Sequence, residues 1–398
     1  MSDTISSAST QVSDVTKSQA TTVAGAPMRS TVLPRVEWVG PEPKVNPSQR
    51  QRFEELGLLG EGGMGEVLLA QDHDIDREVA VKRLPENADL GRVLRFVEEI
   101  RTIGRLEHPN IIPVHDVGVD SSGRYFFVMK RVHGETLENI IARLAAGDPA
   151  THARFTMEVR VQIFLQILNA LAYAHGQGFI HRDLKPANIM IGPFGEVTVM
   201  DWGLARAVTG EHASKLDKTV STRDGTVLQT QLGAVLGTPF YMSPEQASGA
   251  NDTLDFRSDI YSLCVVFHEF LHLKHYLDGR EQLQDVLDGV KTKAPPVQVA
   301  SLKGSQYQVP PELDWFIVKG MEKDREKRWS SVAEMEEEMQ RIIRGECRVQ
   351  CQRTFMKRMF GEARRATDTH PFAVIVISTG AVAVIAAALV KSMLVLAG

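Results

Sequence analysis

The chain has 398 residues, 43% of them hydrophobic and 24% charged, with 45 Lys and Arg against 50 Asp and Glu. That balance excludes a wholly disordered chain, a collagen-like fibre and a disulfide scaffold, and the net charge of −5 gives no general attraction to nucleic acid. Cys264, Cys347 and Cys351 are the only cysteines, an odd and sparse count that fits reducing surroundings for the main body.

Residues 1–52 open with MSDTISSASTQVSDVTKSQATT, rich in Ser and Thr and without apolar periodicity. Such a segment buries too little surface to offset its ordering entropy, so it reads as a disordered tail ending in a Pro-containing stretch. From residue 53 the pattern changes. VLLA at 67–70 and VAVK at 79–82 flank DHDIDRE and predict an antiparallel hairpin. VLRFVEEIRTIGRL carries Val93, Phe96, Val97, Ile100 and Ile103 at helical spacing. YFFVMKRV predicts a strand, and EVRVQIFLQILNALAYAH a long buried helix. Strands come first and helices later, an α+β start joined to a mostly helical second part.

Residues 345–371 are basic. Between 341 and 365 eight Lys or Arg face only Glu346 and Glu362. From Phe372 to Val390 there is no charge; as a helix this run spans about 28 Å, close to the hydrocarbon core of a bilayer. The sequence therefore predicts one transmembrane helix at 372–390 and a short extracytoplasmic tail at 391–398. The basic flank puts the main body on the cytoplasmic side and favours anionic lipid. FMKRMF and GEARRA predict an amphipathic helix next to the membrane. The expected location is thus the cell membrane, single-pass.

The chemistry lies in the middle. LGEGGMGEV comprises Leu59, Gly60, Glu61, Gly62, Gly63, Met64, Gly65, Glu66 and Val67. Glycine lets backbone approach phosphate oxygens closely. The motif runs into a strand rather than a helix, and Lys82 follows on the next strand, which favours a loop lying over ATP. A buried ammonium needs a counter-charge, and Glu99 in the following helix is preferred to Glu98 because Phe96, Ile100 and Ile103 bracket it. HRDLKPAN at 181–188 is the most specific signal. Asp183 can accept the proton of a hydroxyl, Lys185 can neutralise a transferring phosphoryl group, and Asn188 can hold magnesium. DWG at 201–203 follows two apolar runs, IMIG and VTVM, which read as a hairpin carrying Asp201 to the metal.

With these motifs the chain resembles the eukaryotic-like serine/threonine protein kinases, most of all the membrane-anchored bacterial ones, over roughly residues 53–344. The resemblance implies a two-lobed kinase fold with ATP between the lobes and Mg2+ as its companion ion. By position, Leu59 to Val67 is the glycine-rich loop, Ala80 and Lys82 lie at the nucleotide, and Lys82 with Glu99 is the activating ion pair. Met129 is the gatekeeper, and Lys130 to Val132 the hinge. Asp183 is the catalytic base; Asn188 and Asp201 bind magnesium. GTPFYMSPEQ at 237–246 resembles the end of an activation segment, with Thr238 contacting Asp183 and Lys185. Lys185 marks the Ser/Thr class. Glu245 is expected to pair with Arg328, and Asp259 to brace the catalytic loop.

Three departures stand out: Trp202 for the commoner Phe, Lys130 where relatives carry an acid, and LHLKHYL at 271–277 without the usual Gly and Pro-Phe. Asp201 to Glu245 spans 45 residues rich in hydroxyls, and Arg182 can pair with a phosphorylated one. Autophosphorylation is predicted at Thr230, then Thr226. Protein substrates are the expected partners, with self-association in trans compatible with a single span. The competing reading is a pseudokinase scaffold on the membrane; retention of Lys82, Asp183 and Asp201 argues against it.

Overall fold

The computed structural model describes residues 30–47, 50–62, 65–202, 206–207, 238–250, 253–295, 309–346 and 352–372, and further short pieces up to 388. The predicted phosphosites Thr226 and Thr230, together with Gly63, Met64, Gly203, Cys347 and Cys351, lie outside the described residues. The chain divides into two compact units. One holds residues up to Phe96 and Val114–Arg131; the other holds Val97–Pro113 and everything from Val132.

The first unit is built on strands β3 (Phe53–Gly62), β4 (Gly65–Asp72), β5 (Arg77–Arg83), β6 (Val114–Val119) and β7 (Tyr125–Lys130). They form an antiparallel sheet in the order β3-β4-β5-β7-β6. Strand alternation puts Phe53, Leu68, Ala70, Val79, Val81, Phe126 and Val128 into a common core. The hairpin expected of residues 67–82 is present, turning through Asp76 at φ 49°.

One expectation is corrected here. Within the segment expected to be a disordered tail, residues 35–46 are ordered: β1 (Arg35–Val39) and β2 (Glu42–Asn46) form a hairpin turning at Gly40, φ 68°. Val36 pairs with Val45 and Trp38 with Pro43, so the apolar residues share one face. The prolines misled the reading; in a two-stranded ribbon every strand is an edge, where a missing N–H is tolerated. The segment is also tied down, because the Val32 and Leu33 N–H groups both donate to Asp74 Oδ1 at 2.9 Å.

Helix α1 (Leu90–Ile103) begins in the first unit and ends in the second. The second unit is mainly helical: β8 (Glu135–Thr136), α2 (Leu137–Ala145), α3 (Pro149–Arg154) and α4 (Met157–Gly176), then β9 (Phe179–Ile180), β10 (Ile189–Ile191), β11 (Val197–Val199) and β12 (Arg206–Ala207). After these come α5 (Pro244–Ala247), α6 (Phe256–His272), α7 (Leu283–Thr292), α8 (Pro311–Gly320), α9 (Val332–Ile343) and α10 (Gln352–Thr369). Thr156 caps α4 by accepting from the Val159 N–H. α4 and α6 are apolar nearly all round and form the centre, where Phe164 stacks on Phe267 at 4.0 Å and meets Phe316 edge-on. The predicted hairpin of IMIG and VTVM is β10 with β11, and β8 adds a third strand.

Among the described residues no helix is long and apolar enough to cross a membrane. The run expected to span, 372–390, lies in large part outside them, and 391–398 lies wholly outside.

Candidate active site

In the second unit the loop between β9 and β10 carries His181 to Asn188. Its backbone is held by Asp259, in the first turn of α6 and 1% exposed. Asp259 Oδ2 accepts the His181 N–H at 2.8 Å, and Oδ1 accepts the Arg182 N–H at 2.9 Å. His175 Nε2 sits 2.9 Å from the same carboxylate. Burial alone would raise this carboxyl; the His175 hydrogen bond and the neighbouring imidazoles outweigh it and hold Asp259 below the ordinary range. The bracing also sustains Arg182 at φ 68°, a left-handed conformation that needs such support.

Asp183 is thereby set facing its own neighbours. Lys185 Nζ lies 2.8 Å from Asp183 Oδ2. Asn188 Nδ2 donates to the Asp183 carbonyl at 2.9 Å and reaches Oδ2 at 3.3 Å. Burial raises the Asp183 carboxyl above its ordinary value, opposed by the Lys185 charge and reinforced by the Asp201 carboxylate. Asp201 follows β11 at φ 59°, and the Met200 N–H donates to the Asn188 carbonyl at 2.8 Å, tying the two loops together. Trp202, fully buried, packs its ring against His181 at 4.6 Å. The indole that replaces the commoner phenyl is thus seated under the loop. His181 Nε2 lies 3.0 Å from the Met200 carbonyl, while its Nδ1 accepts from the Asp183 N–H at 3.3 Å.

Two further fastenings come from α5 and α6. Glu245 meets Arg328 through two bonds of 2.7 and 2.8 Å and accepts the Ser258 hydroxyl at 2.7 Å. Burial would raise the Glu245 carboxyl, yet the guanidinium prevails and lowers it to about 2. Gln246 was missed by the sequence reading. Its Nε2 donates to the Arg182 carbonyl at 2.8 Å while its Oε1 accepts the Ser243 N–H. The signal was present as a capping box, Ser243 with Gln246 three residues on. His175 was missed as well, because nothing in a helical stretch announces which acid it will meet. The backbone of Thr238 lies in a short turn, 238–241, before α5.

In the first unit four of the residues expected at the nucleotide share one face of the sheet. Register pairs Val67 with Lys82 and Lys82 with Phe127, and Ala80 with Met129. Residues opposite each other point the same way, so Val67, Ala80, Lys82 and Met129 lie on the side away from the Phe53 core. Lys82 Nζ is 5.9 Å from the Phe127 ring centre. Gly62 pairs with Gly65 at the end of β3, and Leu59, Gly60 and Glu61 lead into that turn. Gly65 has φ 129°, and a Cβ there would fall 2.1 Å from the Arg83 carbonyl oxygen, so only glycine fits. Gly60 and Gly62 differ: an added Cβ would meet no protein atom. Glu66 next to this turn is held by Arg83 at 2.9 Å. Lys130 is exposed at the end of β7, and Val132 belongs to the second unit. Glu99 is 2% exposed on α1, between Phe96 and Ile103 as expected.

No group of three His, Cys, Asp or Glu side chains able to hold a metal occurs among the described residues. A magnesium ion that travels with a nucleotide needs less, one or two protein oxygens, the rest coming from phosphates and water. Asn188 and Asp201 suit it. The Asn188 amide nitrogen is engaged on Asp183, which leaves its oxygen for a cation, and the Asp201 carboxylate contributes to raising the Asp183 carboxyl.

A carboxylate set to receive a hydroxyl proton, a lysine on that carboxylate and an Asn/Asp pair suited to magnesium are the equipment of a phosphoryl-transfer enzyme. Residues 53–340 match the family model described as "Protein kinase domain". The chain belongs to the protein kinase family. It is 33% identical over 321 residues to the serine/threonine-protein kinase PknD of Protochlamydia amoebophila, covering 75% of this chain and 30% of that one. It is 35% identical over 319 residues to the serine/threonine-protein kinase PknB of Mycobacterium tuberculosis, covering 76% and 45%. The chain therefore spans less than half the length of these curated relatives.

Proposed function

We propose that the chain transfers the γ-phosphate of MgATP to Ser or Thr hydroxyls of proteins. The observation that carries this reading is the Asp183 cluster, in which the Lys185 ammonium and the Asn188 amide lie 2.8 and 3.3 Å from the Asp183 carboxylate inside a kinase-family loop. Asp183 takes the proton of the incoming hydroxyl as the oxygen attacks phosphorus. Its raised affinity for that proton favours the step. Lys185 stabilises the negative charge on the equatorial oxygens, and its presence is what favours Ser and Thr over Tyr as acceptors. Asn188 and Asp201 would hold the magnesium ion, which neutralises nucleotide charge when bound. Lys82 attends the nucleotide phosphates, with Glu99 as its proposed partner, and the glycine-rich turn covers them with backbone N–H groups. Thr238 orients Asp183 and Lys185. Thr230, with Thr226 as second choice, is phosphorylated by the enzyme itself.

The proposal extends to location. The uncharged run 372–390 crosses the membrane once and holds the catalytic unit at its cytoplasmic face. Transfer of labelled phosphate to a generic Ser/Thr substrate tests the enzyme reading, with Asp183→Ala as comparison. Equal incorporation by the two would leave a nucleotide-binding scaffold instead. Retention in the pellet after alkaline carbonate extraction tests the anchor.

A further inference from the structure

The helix α10 (Gln352–Thr369) carries five basic residues against two acidic ones, and its two sides are used differently. One stripe faces the second unit. Thr354 is fully buried, Lys357 Nζ bonds Glu312 Oε1 of α8 at 2.6 Å, Gly361 lies against Gly345, and Arg365 pairs with Glu346. These positions recur at three, seven and eleven residues, so they form one edge of the helix. Met356, Met359 and Phe360 recur at three and four residues on the other side and are 45%, 52% and 68% exposed. Packing has thus consumed the polar and small edge and left the apolar edge bare, the reverse of what burial in a core produces.

We infer that this bare edge lies in the interface of an anionic bilayer, which makes α10 a clasp between lipid and catalytic unit rather than a loose tether. The inference rests on the membrane-anchored reading given above. Two observations favour lipid over a protein partner. The exposed edge belongs to a helix of net charge +3, on which Arg358 and Arg364 pair with Glu362 and Asp368 of the same helix, and the uncharged run begins at Phe372, three residues after α10 ends. Apolar side chains then enter the headgroup boundary while guanidinium groups meet phosphate. Because the opposite edge is fastened to Glu312 and Glu346, the bilayer would fix the orientation of the second unit, not only its distance.

Methionine oxidation reads the atoms concerned. Full-length protein is placed in nanodiscs of phosphatidylcholine or of phosphatidylglycerol, treated with dilute peroxide and followed by mass spectrometry. Met356 and Met359 oxidise roughly tenfold more slowly in the anionic discs, Arg358→Gln with Arg364→Gln removes most of that difference, and other methionines keep their rates. Equal rates for Met356 and Met359 in both discs, with the chain incorporated, overturn the inference and leave the anchor standing. A chain that enters no disc refutes the anchor. Phosphatidylglycerol vesicles added to that protein then decide: shielding of the two methionines upholds the interfacial edge, and unchanged rates overturn it.

Discussion

The strand-rich unit and the helical unit present their functional side chains by opposite means. In the first, Val67, Ala80, Lys82 and Met129 reach one face by strand alternation, and the contacts that set them are between neighbouring strands. In the second, the loop at 181–188 has only a single 3-10 turn, Pro186–Asn188, of its own. It is held from afar, by Asp259 some 78 residues on, by Gln246, and by Glu245, which ties α5 to Ser258 of α6 and to Arg328. The difference teaches where each unit is vulnerable. A strand face tolerates remote change, whereas the loop depends on a few buried polar bonds whose loss leaves donors without partners.

The contrast can be broken most severely at the loop itself. Asp183→Asn keeps the shape and removes the base, so kcat falls about a thousandfold, or roughly 4 kcal/mol, with little change in KM for ATP. Steady-state kinetics checks this, and a large rise in KM would contradict the assignment. Next comes a remote fastening. Arg328→Ala leaves the Glu245 carboxylate buried without its guanidinium and costs about 3 kcal/mol of stability in chemical unfolding. The sign with pH follows. The folded Glu245 carboxyl is lowered from 4.5 to about 2, so its contribution is present above pH 4.5 and fades as pH falls toward about 2. Wild type and Arg328→Ala therefore converge in stability over that window. A parallel pH dependence in the two would show that another group carries it.

The strand-rich unit gives the third test, by comparison within one motif. Gly65→Ala meets both an unfavourable φ and the Arg83 carbonyl, and destabilises by about 2 kcal/mol. Gly62→Ala meets no protein atom, so the unfolding midpoint stays put while KM for ATP rises. Equal effects on both readouts would erase the distinction. The smallest effect is at Ser243, the capping residue of α5, where Ser243→Ala costs about 1 kcal/mol by thermal unfolding.

Much of this was readable in advance, for identifiable reasons. The hairpin 67–82, the strand at 125–130, the long helix α4 and the hairpin of β10 and β11 are local patterns of alternation or helical spacing. The pairing of Glu245 with Arg328 and the bracing by Asp259 followed from the resemblance, and both bonds are present. The β1–β2 hairpin was not legible, because Pro41 and Pro43 look like linker residues until Trp38 and Val45 are seen on a common face. Gln246 and His175 were equally hidden, since each acts on a partner more than sixty residues away.

The sequence alone determined which chemical groups are available and which backbone each would ride on, because periodicity and residue type act over a few residues. Only the tertiary structure decided which edge of α10 is fastened and which is bare, why glycine is obligatory at 65 but not for packing at 62, and how a loop with little secondary structure stays rigid. Those are matters of contact between segments distant along the chain, and a contact has no signature in one of its partners until the other arrives.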